Sequence, residues 1–170
     1  TIYAVTNIRV NPGIIHVKAR SKKTGEIYYI AKKAYEKMNY QGFALEILEE
    51  FNGEKLLNQK ARNIVTNEEV PIYAAAYVTD DSGTGVVMSV PSHAPYDHIA
   101  LLDLGIKLDY KPIVQVEGYR FMAQELIEKR GVNEQHDPQL EEIVKEVYKK
   151  EILTGVMVAG PYKGERVSAA

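Results

Sequence analysis

Residues 83–97, GTGVVMSVPSHAPYD, constrain the fold more tightly than any other stretch of this chain. Gly83 and Gly85 mark a turn, and the small and β-branched residues after them suit a strand over 85–90. Pro91 has no N–H to give to a sheet ladder, so that strand must stop there. Beyond it, YDHIALLDLG places Ile99, Leu101, Leu102 and Leu104 at helical spacing and ends in Gly105, the pattern of a short helix with a glycine cap. A strand end, a tight turn and a helix start are thereby compressed into a few residues that include Ser92, His93 and Asp97.

The remaining pattern is mostly extended. Residues 1–10 read as a strand closed by Asn11-Pro12-Gly13, and residues 14–34 as two strands around a Lys-Thr-Gly turn, with a short helix over 31–38. Residues 43–58 fit strand or short helix, since a short apolar run does not separate the two. Residues 72–78 form another strand, and Asp80-Asp81-Ser82-Gly83 turns the chain so that 85–90 returns as its hairpin partner. Strand 110–118 precedes helices over 123–131 and 138–153, the second with Leu140, Ile143, Val144 and Val147 on one face and charges on the other. Residues 155–167 close as strand, Gly-Pro turn and strand. The fold class is β-rich α+β, a β core decorated by helices.

Composition narrows the function classes. A length of 170 residues with 45 % hydrophobic and 26 % charged residues suits one compact domain over 1–170. With no cysteine there is neither a disulfide framework nor a thiolate ligand or nucleophile. Lysine and arginine (21) nearly balance aspartate and glutamate (23), so no field favours a long nucleic-acid backbone and any such contact is local. No apolar run approaches the ~18 residues of a membrane span and none reads as a signal peptide, which points to no membrane partner and to the cytoplasm.

Each motif has a plain reading beside its chemical one. The Gly-Thr-Gly triplet lacks the third glycine of a dinucleotide loop and the Gly-Lys-Ser/Thr of a P-loop, so a hairpin turn is its default. His93 and Asp97 form H-x-x-x-D beside His98, from which a metal hydrolase is conceivable. Pro95 interrupts that set, however, and His16 and His136 lie in unrelated segments. Ser92 sits in VPSHA rather than in G-x-S-x-G, which makes Ser92 and Ser89 hydrogen-bonding turn or strand residues rather than nucleophiles. Asp97 suits a helix N-terminus, where a carboxylate offsets the macrodipole. Spacing alone reaches no further than a polar site near His93 and Asp97.

The same stretch closely resembles the signature of the editing domain inserted into leucyl-, isoleucyl- and valyl-tRNA synthetases. In that family a G-T-G strand leads into a Pro-x-His turn and then an aspartate. TIYAVTNIRVNP at the start and GVMVAGPYKGERVS at the end resemble the archaeal or eukaryotic leucyl type, so the likeness spans the chain. It implies a β-barrel-like core with peripheral helices, carried as an insertion in a larger class I synthetase. It also implies hydrolysis of the ester joining a wrong amino acid to the terminal adenosine of leucine tRNA, with no metal or cofactor. Norvaline, isoleucine and methionine are the expected errors, because one methylene in an apolar pocket gives only about 1–3 kcal/mol of discrimination and a second, hydrolytic site must supply the rest.

Carried onto this chain, the resemblance makes Asp97 the anchor of the α-ammonium group. Met88 and Val90 line the side-chain pocket, His93 stands beside it, and Thr1 obstructs the cognate leucine. Thr84, Gly85, Ser92 and Tyr96 complete the expected substrate-binding set, and Asp97, Thr1 and His93 the catalytic one. The implied partners are the 3′-terminal aminoacyl-adenosine and the rest of the parent synthetase. Two positions depart from the family: Ala94 replaces the aspartate of bacterial leucyl enzymes, and only the last threonine of the T-x-R-P-E-T pattern is present, at Thr1. A non-catalytic module that only binds the tRNA 3′ end is the opposing reading, and an isoleucyl or valyl editing domain shares residues 83–85, Pro91, His93 and Asp97.

Overall fold

A computed structural model describes residues 2–81 and 83–169, Ala169 by its backbone alone, so Thr1 and Ser82 fall outside the described residues. The chain divides into two compact units. One comprises Asn7–Arg62 and Glu69–Met88; the other comprises the residues up to Thr6, Asn63–Glu68 and everything from Ser89 onward.

The first unit holds β1 (Asn7–Val10), β2 (Ile15–Ser21), β3 (Ile27–Ala31), α1 (Lys32–Tyr40), β4 (Leu45–Asn52), β5 (Lys60–Arg62), β6 (Glu69–Ala74) and all but the last residue of β7 (Val86–Ser89). One sheet has the order β3-β2-β4, all antiparallel; the other has the order β5-β6-β1-β7. Both are open among the described residues, so the expected β core is present as two sheets rather than a closed barrel.

The β2–β3 hairpin forms as its sequence requires. Ser21 Oγ accepts the N–H groups of Lys23 and Thr24, and Gly25 takes a φ of 78° at the turn's end, which a side chain would resist. Val17, Ala19, Ile30, Ala31, Ala34 and Leu45 form this unit's buried cluster, packing the inner faces of β2, β3 and β4 against α1. Residues 43–58, ambiguous by periodicity, are strand β4 followed by a 3-10 turn over Gly53–Leu56.

Two sequence expectations shift. Residues 2–4 form a 3-10 turn, and the N-terminal strand begins only at Asn7. The strand expected over 72–78 ends at Ala74, and β7 is not its hairpin partner, because β1 lies between them. β1 runs parallel to β6, pairing Ile8 with Ile72 and Val10 with Ala74, so the chain after β6 has to pass β1 before β7 can add to the sheet.

The second unit is built on helices. It contains α2 (Pro95–Asp103), β8 (Val114–Gln115), α3 (Met122–Arg130), α4 (Gln139–Thr154) and β9 (Val156–Met157), the two short strands pairing antiparallel. Ile99 of α2, Met122, Ala123, Leu126 and Ile127 of α3, and Leu140, Ile143 and Val147 of α4 bury their side chains together. The helix ends carry the expected signals. At Gly105 (φ 65°) the N–H groups of Gly105 and Ile106 close onto the carbonyls of Leu102 and Leu101, and Gly131 (φ 67°) ends α3 in the same way. Glu125 Oε1 accepts the N–H groups of Arg120 and Phe121 at 2.7 and 2.8 Å, satisfying donors at the start of α3.

Candidate functional site

The second unit opens at Ser89, the last residue of β7, whose carbonyl accepts the N–H of Thr6 at 3.1 Å. Pro91 ends the strand as required, and the next three residues form a turn whose carbonyl acceptor is Val90: the N–H groups of His93 and Ala94 both point at Val90 O, at 2.9 and 3.0 Å. Pro95 then occupies the first turn of α2, where its missing N–H costs nothing, and Asp97 follows in the same turn. Val90 N–H donates to Asp97 Oδ2 at 2.7 Å. Asp97 as a residue is 8 % exposed, so this charge-assisted bond is partly shielded from water, and the positive end of the helix favours the ionised form.

The turn is tied down from outside as well. Ser92, almost fully buried, donates from Oγ to Lys111 O at 3.0 Å, a structural bond of the kind expected for it. His93 is held at both ring nitrogens: Ile113 N–H donates to Nε2 at 2.9 Å, and Nδ1 lies 2.6 Å from Glu151 Oε1. An Nε2 that accepts a backbone N–H places the ring proton on Nδ1, which donates it to Glu151. Val90, His93, Ala94, Ile113, Tyr148 and Glu151 line a cavity of about 260 Å³ in this unit. Tyr96, two residues from the turn, is more than a third exposed.

Glu151 is the participant that pattern reading missed, and its signal was in the sequence. It continues the spacing of Leu140, Ile143 and Val147 along the buried stripe of α4, where a carboxylate has no reason to stand without a partner. The rest of the expected set is distributed differently. Thr84 and Gly85 belong to the first unit, where Thr84 O accepts the N–H of Ala31 at 2.8 Å and Gly85 O receives His16 Nε2 at 3.2 Å. Gly85 has φ 69°, and a Cβ placed there would lie 2.5 Å from the Cβ of Ala31, so this glycine is fixed by close packing. Met88, at the end of the same unit, is 47 % exposed. Thr1 lies outside the described residues.

A larger cavity, about 540 Å³, lies between α2 and α3 and is lined by His98, Leu102, Tyr110, Arg120, Phe121 and Glu128 among others. His98 is buried with its Nδ1 against the Tyr110 hydroxyl; burial lowers the imidazole's pKa and raises that of Tyr110 to about 12. His98 and His93 thus engage different partners, and among the described residues no three His, Asp or Glu side chains converge to hold a metal ion. No helix among them is long and apolar enough to cross a membrane.

Solved structures define the class. The crystal structure of GlLeuRS-CP1 superposes with a TM-score of 0.84 at 26 % identity, covering 99 % of this chain and 72 % of its own. The Plasmodium falciparum cytosolic leucyl-tRNA synthetase editing domain shares the fold, with a TM-score of 0.80 over 99 % of this chain and 69 % of its own, at 19 % identity. The family model described as leucyl-tRNA synthetase, editing domain, matches residues 1–135, and the chain belongs to that family. It is 44 % identical over 92 % of its length to the leucine–tRNA ligase of Methanocaldococcus jannaschii and 41 % identical over 98 % to that of Pyrococcus abyssi. It spans only 18 % and 19 % of the length of those relatives.

Proposed function

We propose that this chain is the post-transfer proofreading hydrolase of a leucine–tRNA ligase, cleaving the ester that joins norvaline, isoleucine or methionine to the terminal adenosine of leucine tRNA. The observation that carries this reading is the Asp97 carboxylate, shielded at the start of a helix and aligned by Val90 N–H in a chain of the leucyl editing family. In this reading Asp97 pairs with the substrate's α-ammonium group and sets its orientation. Val90 contacts the amino-acid side chain, Tyr96 contributes to binding, and Thr1 excludes leucine. Hydrolysis then draws on proximity: a water and backbone donors are held against the ester carbonyl, with help from the vicinal ribose hydroxyl.

His93 takes no proton from that water, because its two nitrogens are committed to Ile113 and Glu151. In this reading its part in the site is to shape the turn. The chain acts as an insertion in a larger synthetase, a reading supported by the fraction of the relatives' length that it spans.

The deciding experiment measures deacylation of norvalyl-tRNA and leucyl-tRNA by the wild-type chain and Asp97→Ala. Calorimetry with non-hydrolysable norvalyl-, leucyl- and des-amino-adenosine analogues accompanies it. Release of norvaline over leucine, lost with Asp97, is the expected result. Analogue binding that requires the amino group, without turnover, would reduce the function to recognition of the tRNA 3′ end. No binding and no turnover would refute the reading.

A further inference from the structure

Glu151 stands where two physical costs meet. The residue is 9 % exposed, and it lies in the last turn of α4, whose unsatisfied carbonyls present partial negative charge to an anion. What offsets both is the Nδ1–H of His93 at 2.6 Å. From there a continuous series of hydrogen bonds runs to the candidate site. The His93 ring is clamped at its other end by Ile113 N–H, His93 N–H holds Val90 O at 2.9 Å, and Val90 N–H holds Asp97 Oδ2 at 2.7 Å.

We propose that Glu151 is a positioning residue of the editing site, which through His93 fixes the turn that aligns Val90 and Asp97. The inference rests on the proposed editing function for its effect on turnover, but its structural link stands apart from that function. Glu151 touches no substrate in this scheme. It selects the histidine tautomer that accepts from Ile113, and so decides where the two ends of the turn sit. Loss of the carboxylate frees the ring to take the other tautomer or to swing away, and Val90 O and Asp97 Oδ2 lose a fixed reference.

The test uses Glu151→Gln and Glu151→Leu with two readouts. Glutamine still offers an oxygen to Nδ1–H, so it should retain kcat for norvalyl-tRNA within about twofold, whereas leucine should lower kcat at least about tenfold with a smaller change in KM. In the nitrogen-15 spectrum the wild-type His93 ring should show its proton on Nδ1. The Val90 amide, shifted by its bond to Asp97, should move in Glu151→Leu and stay in place in Glu151→Gln. A folded Glu151→Leu with wild-type kcat and an unmoved Val90 amide overturns the proposal. If Glu151→Leu does not fold, a wild-type ring protonated on Nε2 instead, or a Glu151→Gln that loses turnover as a folded protein, overturns it equally. An inactive wild type would refute the editing function, while the ring and amide spectra still decide the link from Glu151 to Asp97.

Discussion

Replacing Asp97 by asparagine separates the two tasks given to this carboxylate. Asparagine keeps an oxygen that can accept Val90 N–H, now 2.7 Å from Asp97 Oδ2, so the strand-end turn retains its internal tie. It removes the negative charge that an α-ammonium group would meet. Alanine removes both. A hydrogen bond to a charged group is worth about 1.5–3 kcal/mol, which corresponds to roughly ten- to a hundredfold in affinity. Asp97→Asn should therefore unfold close to the wild-type temperature and bind a norvalyl-adenosine analogue at least about tenfold more weakly, while its affinity for the des-amino analogue is unchanged. Asp97→Ala should show the same binding loss and, in addition, lose about 1–3 kcal/mol of stability because the part-buried Val90 N–H is left without this acceptor. Calorimetry with both analogues and thermal denaturation of all three proteins provide the measurement. If Asp97→Asn binds the norvalyl analogue as tightly as wild type, or weakens both analogues equally, the carboxylate is not the ammonium anchor and its place in the turn is its whole purpose.

Gly85→Ala should destabilise the fold by about 1–3 kcal/mol in denaturant titration, since the new methyl meets Ala31 at 2.5 Å and φ is 69°. Thr1→Ala should let leucine be released from leucyl-tRNA at a measurable rate; unchanged protection of leucyl-tRNA would remove Thr1 from the specificity argument. His98 supplies a pH prediction. Burial lowers its folded pKa below 6.5, so in acid the unfolded chain binds a proton that the folded chain resists. Its contribution is intact above pH 6.5 and declines as pH falls from there toward the folded value, by at most about 1.4 kcal/mol per pH unit. Unfolding temperatures of wild type and His98→Gln should accordingly converge on acidification. Convergence on raising the pH instead would contradict the assigned shift.

What the sequence revealed of this fold follows from how local each signal is. The Pro91 strand end, the Gly105 cap, the Lys-Thr-Gly hairpin and the stripe of α4 are set by neighbours within a few residues, and all are where the pattern requires them. The insertion of β1 between β6 and β7 is a pairing across more than sixty positions, and alternation within a strand carries no information about which neighbour it takes. The candidate site divides the same way. Asp97 and the turn before it were visible because they are contiguous, and the Asp97–Val90 bond spans only seven residues. Glu151 acts on His93 across 58 residues, and although its spacing belongs to the buried face of α4, nothing within its own helix says which residue it meets there.

That hidden partner changes what kind of catalyst the site could be. A histidine beside an ester invites the role of general base, which needs a lone pair turned toward a water. Here one nitrogen carries the proton given to Glu151 and the other accepts from Ile113, so both are used in holding the turn. Ser92 is committed in the same sense, its hydroxyl donating to Lys111 O in a nearly buried position. With these groups occupied as framework, the proposed hydrolysis must obtain its rate from how firmly the substrate is oriented rather than from a proton acceptor at His93. Orientation by a single ion pair at Asp97 would be loose if the turn could move, and it is the bonds through Val90, His93 and Glu151 that restrain it. Replacement of His93 by glutamine distinguishes the two kinds of catalyst. A glutamine amide cannot take a proton, so a histidine base would lose nearly all turnover in His93→Gln, whereas a framework histidine is partly replaced by an amide that can still donate toward Glu151 and accept from Ile113, and turnover falls only in part.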